Sequence, residues 1–267
     1  MNFIDAHLHL MDVSYTDLQN MHMMGITDII GPSQLVGKKA VSADTIVDVW
    51  DYQLEVMVPR AAQHFIQAYS LIGISMVSTP RNELQRLLDI LPSYMEKDGV
   101  VGIGEVGFEP SSKTNNDHEY QKILLEEQMT IAKQTNKMID IHTPMAPQLK
   151  LEATNETLEL AAKIGLDMNS VVIDHCTDVT IDLVLNSGAW AAISVQPCRS
   201  ISPRQAALWI MKYKSDRLFV DSDTSPNMSD PLAIPKVAYE LKTLGASNEL
   251  IEKACCKNAR TAYHIDW

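Results

Sequence analysis

The feature that most constrains how this chain can fold is an alternation running its whole length. Short apolar runs of strand length are each followed by a stretch with helical periodicity. That pattern is the signature of βαβ units and a parallel sheet. Strands are predicted over Phe3–Leu10, Ile26–Ile30, Ser70–Met76, Val100–Val106, Met138–His142, Val171–Cys176, Trp190–Val195 and Leu218–Asp221. Several are almost continuously apolar, as expected of strands buried on both faces. Eight strand–helix units fit an α/β chain folded as a (β/α)8 TIM barrel, one domain over residues 1–267. A seven-stranded distorted barrel or an open doubly wound sheet is compatible with the same alternation.

The helical stretches carry their own signals. Ser14 is placed to cap a helix that Gly25 stops, and a long helical region is expected over Ser42–Ala68. Leu84, Leu87, Leu88 and Leu91 recur at helical spacing behind Asn82 as the expected cap. A helix over Asp117–Asn136 is predicted to bury Tyr120, Ile123, Leu124 and Ile131. Further helices are expected over Glu152–Ile164, Ile181–Asn186, Pro203–Lys214, Ala233–Leu244 and Asn248–His264.

In a barrel of this kind, chemistry sits at the C-terminal ends of the strands. The first strand carries His7 and His9, two residues apart and so on one face, roughly 6.6 Å from each other along the strand. A lone His-x-His is weak, since 8 histidines in 267 residues produce one by chance in roughly a quarter of such chains. The other strand ends add to it: Glu105 on the fourth, His142 on the fifth, His175 on the sixth and Asp223 just after the eighth. Four imidazoles and two carboxylates suit a pair of divalent ions, because imidazole favours zinc and related metals and a carboxylate can bridge two. No Gly-x-Ser-x-Gly and no phosphate loop ending in Lys-Ser/Thr competes with that reading.

His7-Leu8-His9, Gly104-Glu105-Val106-Gly107, Ile141-His142-Thr143, His175-Cys176 and Asp221-Ser222-Asp223 together resemble the motif series of the TatD-like metal-dependent hydrolases of the amidohydrolase superfamily. Glu127-Gln128 through Ala132-Lys133, and Asn258-Ala259-Arg260, look similar as well. The resemblance implies two divalent metal ions (Zn, Mn, Mg or Co), one held by His7 and His9 with Asp223 beside it, the other by His142 and His175. Glu105 would bridge them, and Asp223 would hold and deprotonate the attacking water. Asp5 would orient an imidazole, or else cap a backbone group. The substrate it implies is a phosphoester, such as a nucleic acid end. A small lactone or amide is the alternative within hydrolases; an inactive metal-binding scaffold and a trinuclear histidinol-phosphatase-like domain stand outside. The last would end in Asp-x-His, where this chain has Asp221-Ser222-Asp223.

Two departures bear on the substrate. Pro144 stands where the resembled family commonly has a basic residue after the strand-five His-Thr, and Thr177-Asp178 replaces an aromatic and a small residue after His175-Cys176. Lys38 or Lys39 after strand two, Arg81 after strand three, or Arg199 after strand seven are candidate replacements for the missing cation, Arg199 foremost. The net charge of −12 argues against strong non-specific binding of nucleic acid. Cys176 and Cys198 lie near the expected site, and with Cys255 and Cys256 they form no Cys-x-x-Cys pair or disulfide framework, so a cytoplasmic setting is expected. No basic leader and no membrane span are apparent.

Overall fold

The computed structural model describes residues 1–34, 39–113, 115–197, 199–226 and 229–266. Within them eight strands form one sheet: β1 (Phe3–Asp5), β2 (Ile26–Pro32), β3 (Gln67–Leu71), β4 (Val100–Gly107), β5 (Met138–His142), β6 (Val171–Ile173), β7 (Trp190–Ser194) and β8 (Leu218–Asp221). Each is parallel to the next, in sequence order. The two outer strands meet just past their ends. The Asp223 N–H donates to the His7 carbonyl at 2.9 Å and the His9 N–H to the Thr224 carbonyl at 2.8 Å, so the sheet curls into a nearly closed barrel with helices between the strands.

The helices are α1 (Tyr15–Met23), α2 (Ala43–Tyr52), α3 (Val58–Ala62), α4 (Leu84–Tyr94), α5 (His118–Thr135), α6 (Pro147–Ile164), α7 (Ile181–Ser187), α8 (Pro203–Tyr213), α9 (Ala233–Thr243), α10 (Asn248–Glu252) and α11 (Asn258–Ala262). Local chemistry sets their ends. Ser14 and Asp17 form a reciprocal capping box on α1. Asp117 accepts from the Tyr120 N–H to start α5, and Asn136 ends it in the left-handed conformation. Among the described residues no helix is long and apolar enough to cross a membrane.

The apolar residues divide into two layers. Ile4, Ile30, Leu71, Met138, Val172, Ala192 and Phe219 fill the barrel interior, and Cys256, Ala259, Ala262 and Tyr263 from the C-terminal helices pack onto them. Asn258 fixes that plug, its side-chain amide donating to the Leu218 carbonyl at 2.8 Å. The larger layer lies between the strands and the helices and includes Leu8, Ile29, Ile103, Ile139, Ile141 and Ile193. Alternate residues of β5 thus face opposite layers, which leaves Asp140 pointing inward.

Several boundaries differ from those predicted. β1 ends at Asp5 rather than Leu10: beyond it Leu8 forms an isolated bridge to Thr224, and a 3-10 turn takes up Leu10–Asp12. Ile4 and Ala6 join the interior layer, so the alternation that would put Asp5 on one face with His7 and His9 does not continue. The helical region expected to reach Ala68 stops at Ala62, with Phe65 at φ +59, and Ala68 belongs to β3. β3 in turn ends at Leu71, not Met76: the Ile74 N–H and C=O are bonded by the Gln128 side chain (2.7 and 3.1 Å) instead of by the sheet. Asn82 caps nothing, since α4 begins after a 3-10 turn over Arg81–Glu83. Ile123 is exposed, and Gln121, Leu125, Gln128 and Met129 share the buried side of α5.

Candidate metal centre

The strand ends bring His7, His9, Glu105, His142, His175 and Asp223 into one cluster. Small residues make the approach of β4 to β5 close enough. A Cβ on Gly104 would lie 2.8 Å from the Asp140 Cβ, and one on Gly107 would lie 2.4 Å from the His142 carbonyl. Glu105 therefore sits against His142 with its carboxylate in the middle of the cluster. Its Oε2 faces His7 Nε2 at 3.8 Å and His9 Nε2 at 4.0 Å. Its Oε1 faces His142 Nδ1 at 2.5 Å and His175 Nε2 at 3.0 Å, and those two nitrogens are 3.1 Å apart. Asp223 Oδ1 is 3.6 Å from His9 Nε2.

These separations can be tested against metal ligation. Two atoms that each bind one ion at about 2.0–2.2 Å lie at most about 4.4 Å apart, and every separation above satisfies that limit. His7 Nε2 and His9 Nδ1 are buried without a hydrogen-bond partner, a costly state for imidazole nitrogens that ligation of the former would relieve. The donor set, imidazole plus carboxylate, is one that divalent transition metals favour. The residues fit two ions sharing Glu105.

Around this set lies a layer of residues not anticipated from the sequence. His142 Nε2 is 3.2 Å from Glu109 Oε2, and His175 Nδ1 is 2.6 Å from Ser194 Oγ. Ser194 in turn donates to Asp174 Oδ1 at 3.0 Å. Asp174 Oδ2 also approaches His7 Nδ1 to 2.7 Å, off the line of an aligned hydrogen bond. Tyr263 donates to the buried Asp140, whose other oxygen lies 3.6 Å from His7 Nδ1. Gln196 donates to Asp223 Oδ2 at 2.6 Å. Such partners fix the rotation of a ligand ring or carboxylate. Asp174, directly before His175 at a strand end, was the one member whose position in the sequence hinted at the role.

The charges reinforce one another. Burial works against an ionised Glu105, but His142 first, then His175 and His7, hold its carboxyl well below the usual range. Burial likewise opposes the His142 imidazolium, and Glu105 and Glu109 override it, raising the ring to about 10. His7 is held up in the same way, chiefly by Asp174. Ligation needs the neutral imidazole, so an ion entering here displaces these protons. Asp223 and His175 have left-handed backbones, φ +41 and +56. Non-glycine residues adopt that region at roughly 1–3 kcal/mol, and hold it where surrounding contacts over-determine it.

The remaining candidates fall elsewhere. Asp5 takes the second of its two expected roles: its carboxylate caps a backbone group, accepting the Ser222 N–H at 2.9 Å, and the carboxylates beside the His7 ring are Asp174 and Asp140. Burial pushes Asp5 up to about 7. The Arg81 guanidinium is committed to Asp117 and Asn115, both at 2.8 Å, and lies over the Tyr120 ring. Lys39 and Arg199 are exposed, Arg199 on the loop after β7. Lys38 and Cys198 lie outside the described residues. Cys176 is fully buried, donates to the Ile173 carbonyl at 3.2 Å and is pushed up to about 12 by burial, which leaves it a packing thiol rather than a thiolate ligand.

Comparison with known proteins agrees with this architecture. Residues 4–264 match the family described as TatD related DNase. A metal-dependent hydrolase of uncharacterised activity from Methanocaldococcus jannaschii is 30% identical over 262 residues, covering 98% of this chain and all of that protein. Among solved structures, a TatD-like protein from Archaeoglobus fulgidus superposes with a TM-score of 0.80 at 23% identity, over 98% of this chain and 100% of that one. A phosphotriesterase from Mycobacterium tuberculosis does so with a TM-score of 0.68 at 15% identity, over 98% and 93%. Both of these structures share the fold.

Proposed function

Because the chain belongs to the TatD related DNase family and is a metal-dependent hydrolase of that type, we propose that it holds two divalent ions and hydrolyses an ester-type bond, a phosphoester in the first place. The observation that carries this reading is the position of Glu105, with one carboxylate oxygen turned to His7 and His9 and the other to His142 and His175. His7, His9 and Asp223 would hold one ion, and His142 and His175 the other. When bound, the ions lower the pKa of a water and stabilise charge developing on the attacked group.

The chain's own residues do the rest. Gln196 occupies Asp223 Oδ2, leaving Oδ1, on the His9 side, to take the proton of the attacking water. Asp174, Ser194 and Glu109 keep the histidine rings turned toward Glu105. A small carbonyl ester, lactone or amide is the second reading. It is favoured by a cavity of about 320 Å3 opening beside His175, partly walled by Ile201 and Trp209, which suits a compact molecule better than a long polymer.

Metal analysis of the purified protein tests the first part: up to two divalent ions per chain are expected, and a preparation that never holds any refutes it. A panel of phosphoesters, lactones and amides then separates the substrates. Asp223→Asn should abolish turnover of whichever is hydrolysed while the protein stays folded; wild-type rates would remove Asp223 from the mechanism.

A further inference from the structure

The cavity beside His175 contains a cation that the hydrolytic reading leaves unused. Lys150, in the first turns of α6, is among the residues lining it and is only 1% exposed. Its ammonium reaches back to the end of β5, donating to Thr143 Oγ1 at 3.0 Å and to the His175 carbonyl at 2.5 Å. Both acceptors are neutral, and an ammonium has three donors, so one is left over. Among the described residues no carboxylate lies within ion-pair distance of it. Asp178, the acidic residue lining the same cavity, is exposed and solvated.

A buried cation on which Asp174 and Glu109 act only from beyond ion-pair distance is expensive, and an apolar side chain of the same length would fill the space without that cost. An anion in the cavity removes the penalty. Two further features favour one. Pro147, the first residue of α6, also lines the cavity, so the positive end of an eighteen-residue helix faces it. Ser194 and Gln196 supply hydroxyl and amide groups on another wall.

We propose that Lys150 anchors an oxyanion of the substrate, a carboxylate or a phosphate remote from the scissile bond, in this cavity. The substrate is then a compact ester-type molecule with an anionic group and a small apolar body lying against Trp209 and Ile201. The assignment rests on the reading that the scissile bond lies at Glu105, His142 and His175. It also supplies a place for the missing cation: the basic residue absent at Pro144 is provided six residues further on, pointing back to Thr143.

The test is calorimetric binding of three matched probes to the metal-loaded protein: hydrocinnamate, phenethylphosphonate and the neutral hydrocinnamamide. At least one anion should bind roughly ten- to a hundredfold more tightly than the amide, the range for a hydrogen bond to a charged group. Whichever anion is preferred identifies carboxylate or phosphate as the natural group. Lys150→Met should bring the ratio close to one while amide binding stays within about twofold. Equal binding of all three by the wild-type protein overturns the proposal, and that comparison stands even if the variant does not fold. A preference that survives Lys150→Met also overturns it, because the anion is then held by the ions. Trp209→Ala should weaken all three probes together; no change would put them elsewhere and overturn the assignment. None of these readouts needs turnover, so a failure of this proposal is distinguishable from a failure of the hydrolytic one.

Discussion

Gln128 offers a quantitative test of how the scaffold holds its rim. Its side chain is fully buried, accepts from the Ile74 N–H at 2.7 Å and donates to the Ile74 carbonyl at 3.1 Å. It thereby pairs both polar groups of a residue that has left the sheet and is itself fully buried. Gln128→Leu keeps the volume and removes both partners. Each of the two orphaned buried groups costs about 1–3 kcal/mol, and the added apolar burial returns roughly 1 kcal/mol, so the net loss is about 1–5 kcal/mol. For a chain of this size, 1 kcal/mol moves the melting temperature by roughly 2–4 °C. A drop of about 2–20 °C by calorimetry is therefore expected, with bound metal unchanged in the folded fraction. A shift under about 2 °C would show that water reaches Ile74 and that the segment does not depend on this amide.

Glu105→Gln should lose metal from both halves of the centre, measured by elemental analysis after dialysis; retention of two ions would remove Glu105 from its bridging place. Ser194→Ala withdraws the partner of His175 Nδ1 and should weaken metal binding by roughly 10–100-fold in competition with a chelator, whereas an unchanged affinity would make that contact incidental. Gln196→Ala frees Asp223 Oδ2. It should lower kcat about 10–100-fold with metal content preserved, and an equal fall in metal content would mean that Gln196 serves the ligand set rather than the proton transfer.

Much of the barrel was legible because each strand is an apolar run with a polar residue at its exit. β5 and β8 have the predicted bounds, Met138–His142 and Leu218–Asp221. The errors arose where something other than hydrophobic period decided the backbone: a 3-10 turn after β1, the Gln128 clamp after β3, the left-handed Phe65 before it. Gln128 and Asn258 belong to stretches that resemble family motifs, yet both act on the scaffold, bonding Ile74 and the start of β8. The converging histidines could be found because strand ends converge. Of their partners only Asp174, directly before His175, carries a hint in the sequence; Ser194 comes beside His175 through the pairing of neighbouring strands β6 and β7, which spacing along the chain does not reveal. Lys150 was hidden differently: in sequence it is an ordinary helix lysine, and only its complete burial sets it apart.

The seam between β1 and β8 has a temporal meaning. It joins the first and the last strand of the sheet: the Ser222 N–H and Asp5 carboxylate that meet there are 217 residues apart. At about 5–20 residues per second on the ribosome, the two are separated by on the order of ten to forty seconds of synthesis. During that interval His7 and His9 are present without Asp223, and the barrel has an open edge beside them. An ion captured early meets an incomplete set of ligands, and one captured late stabilises only the closed form. Closing the seam is what brings Asp223 up to His9, so the first strand's half of the candidate centre is complete only once β8 is in place.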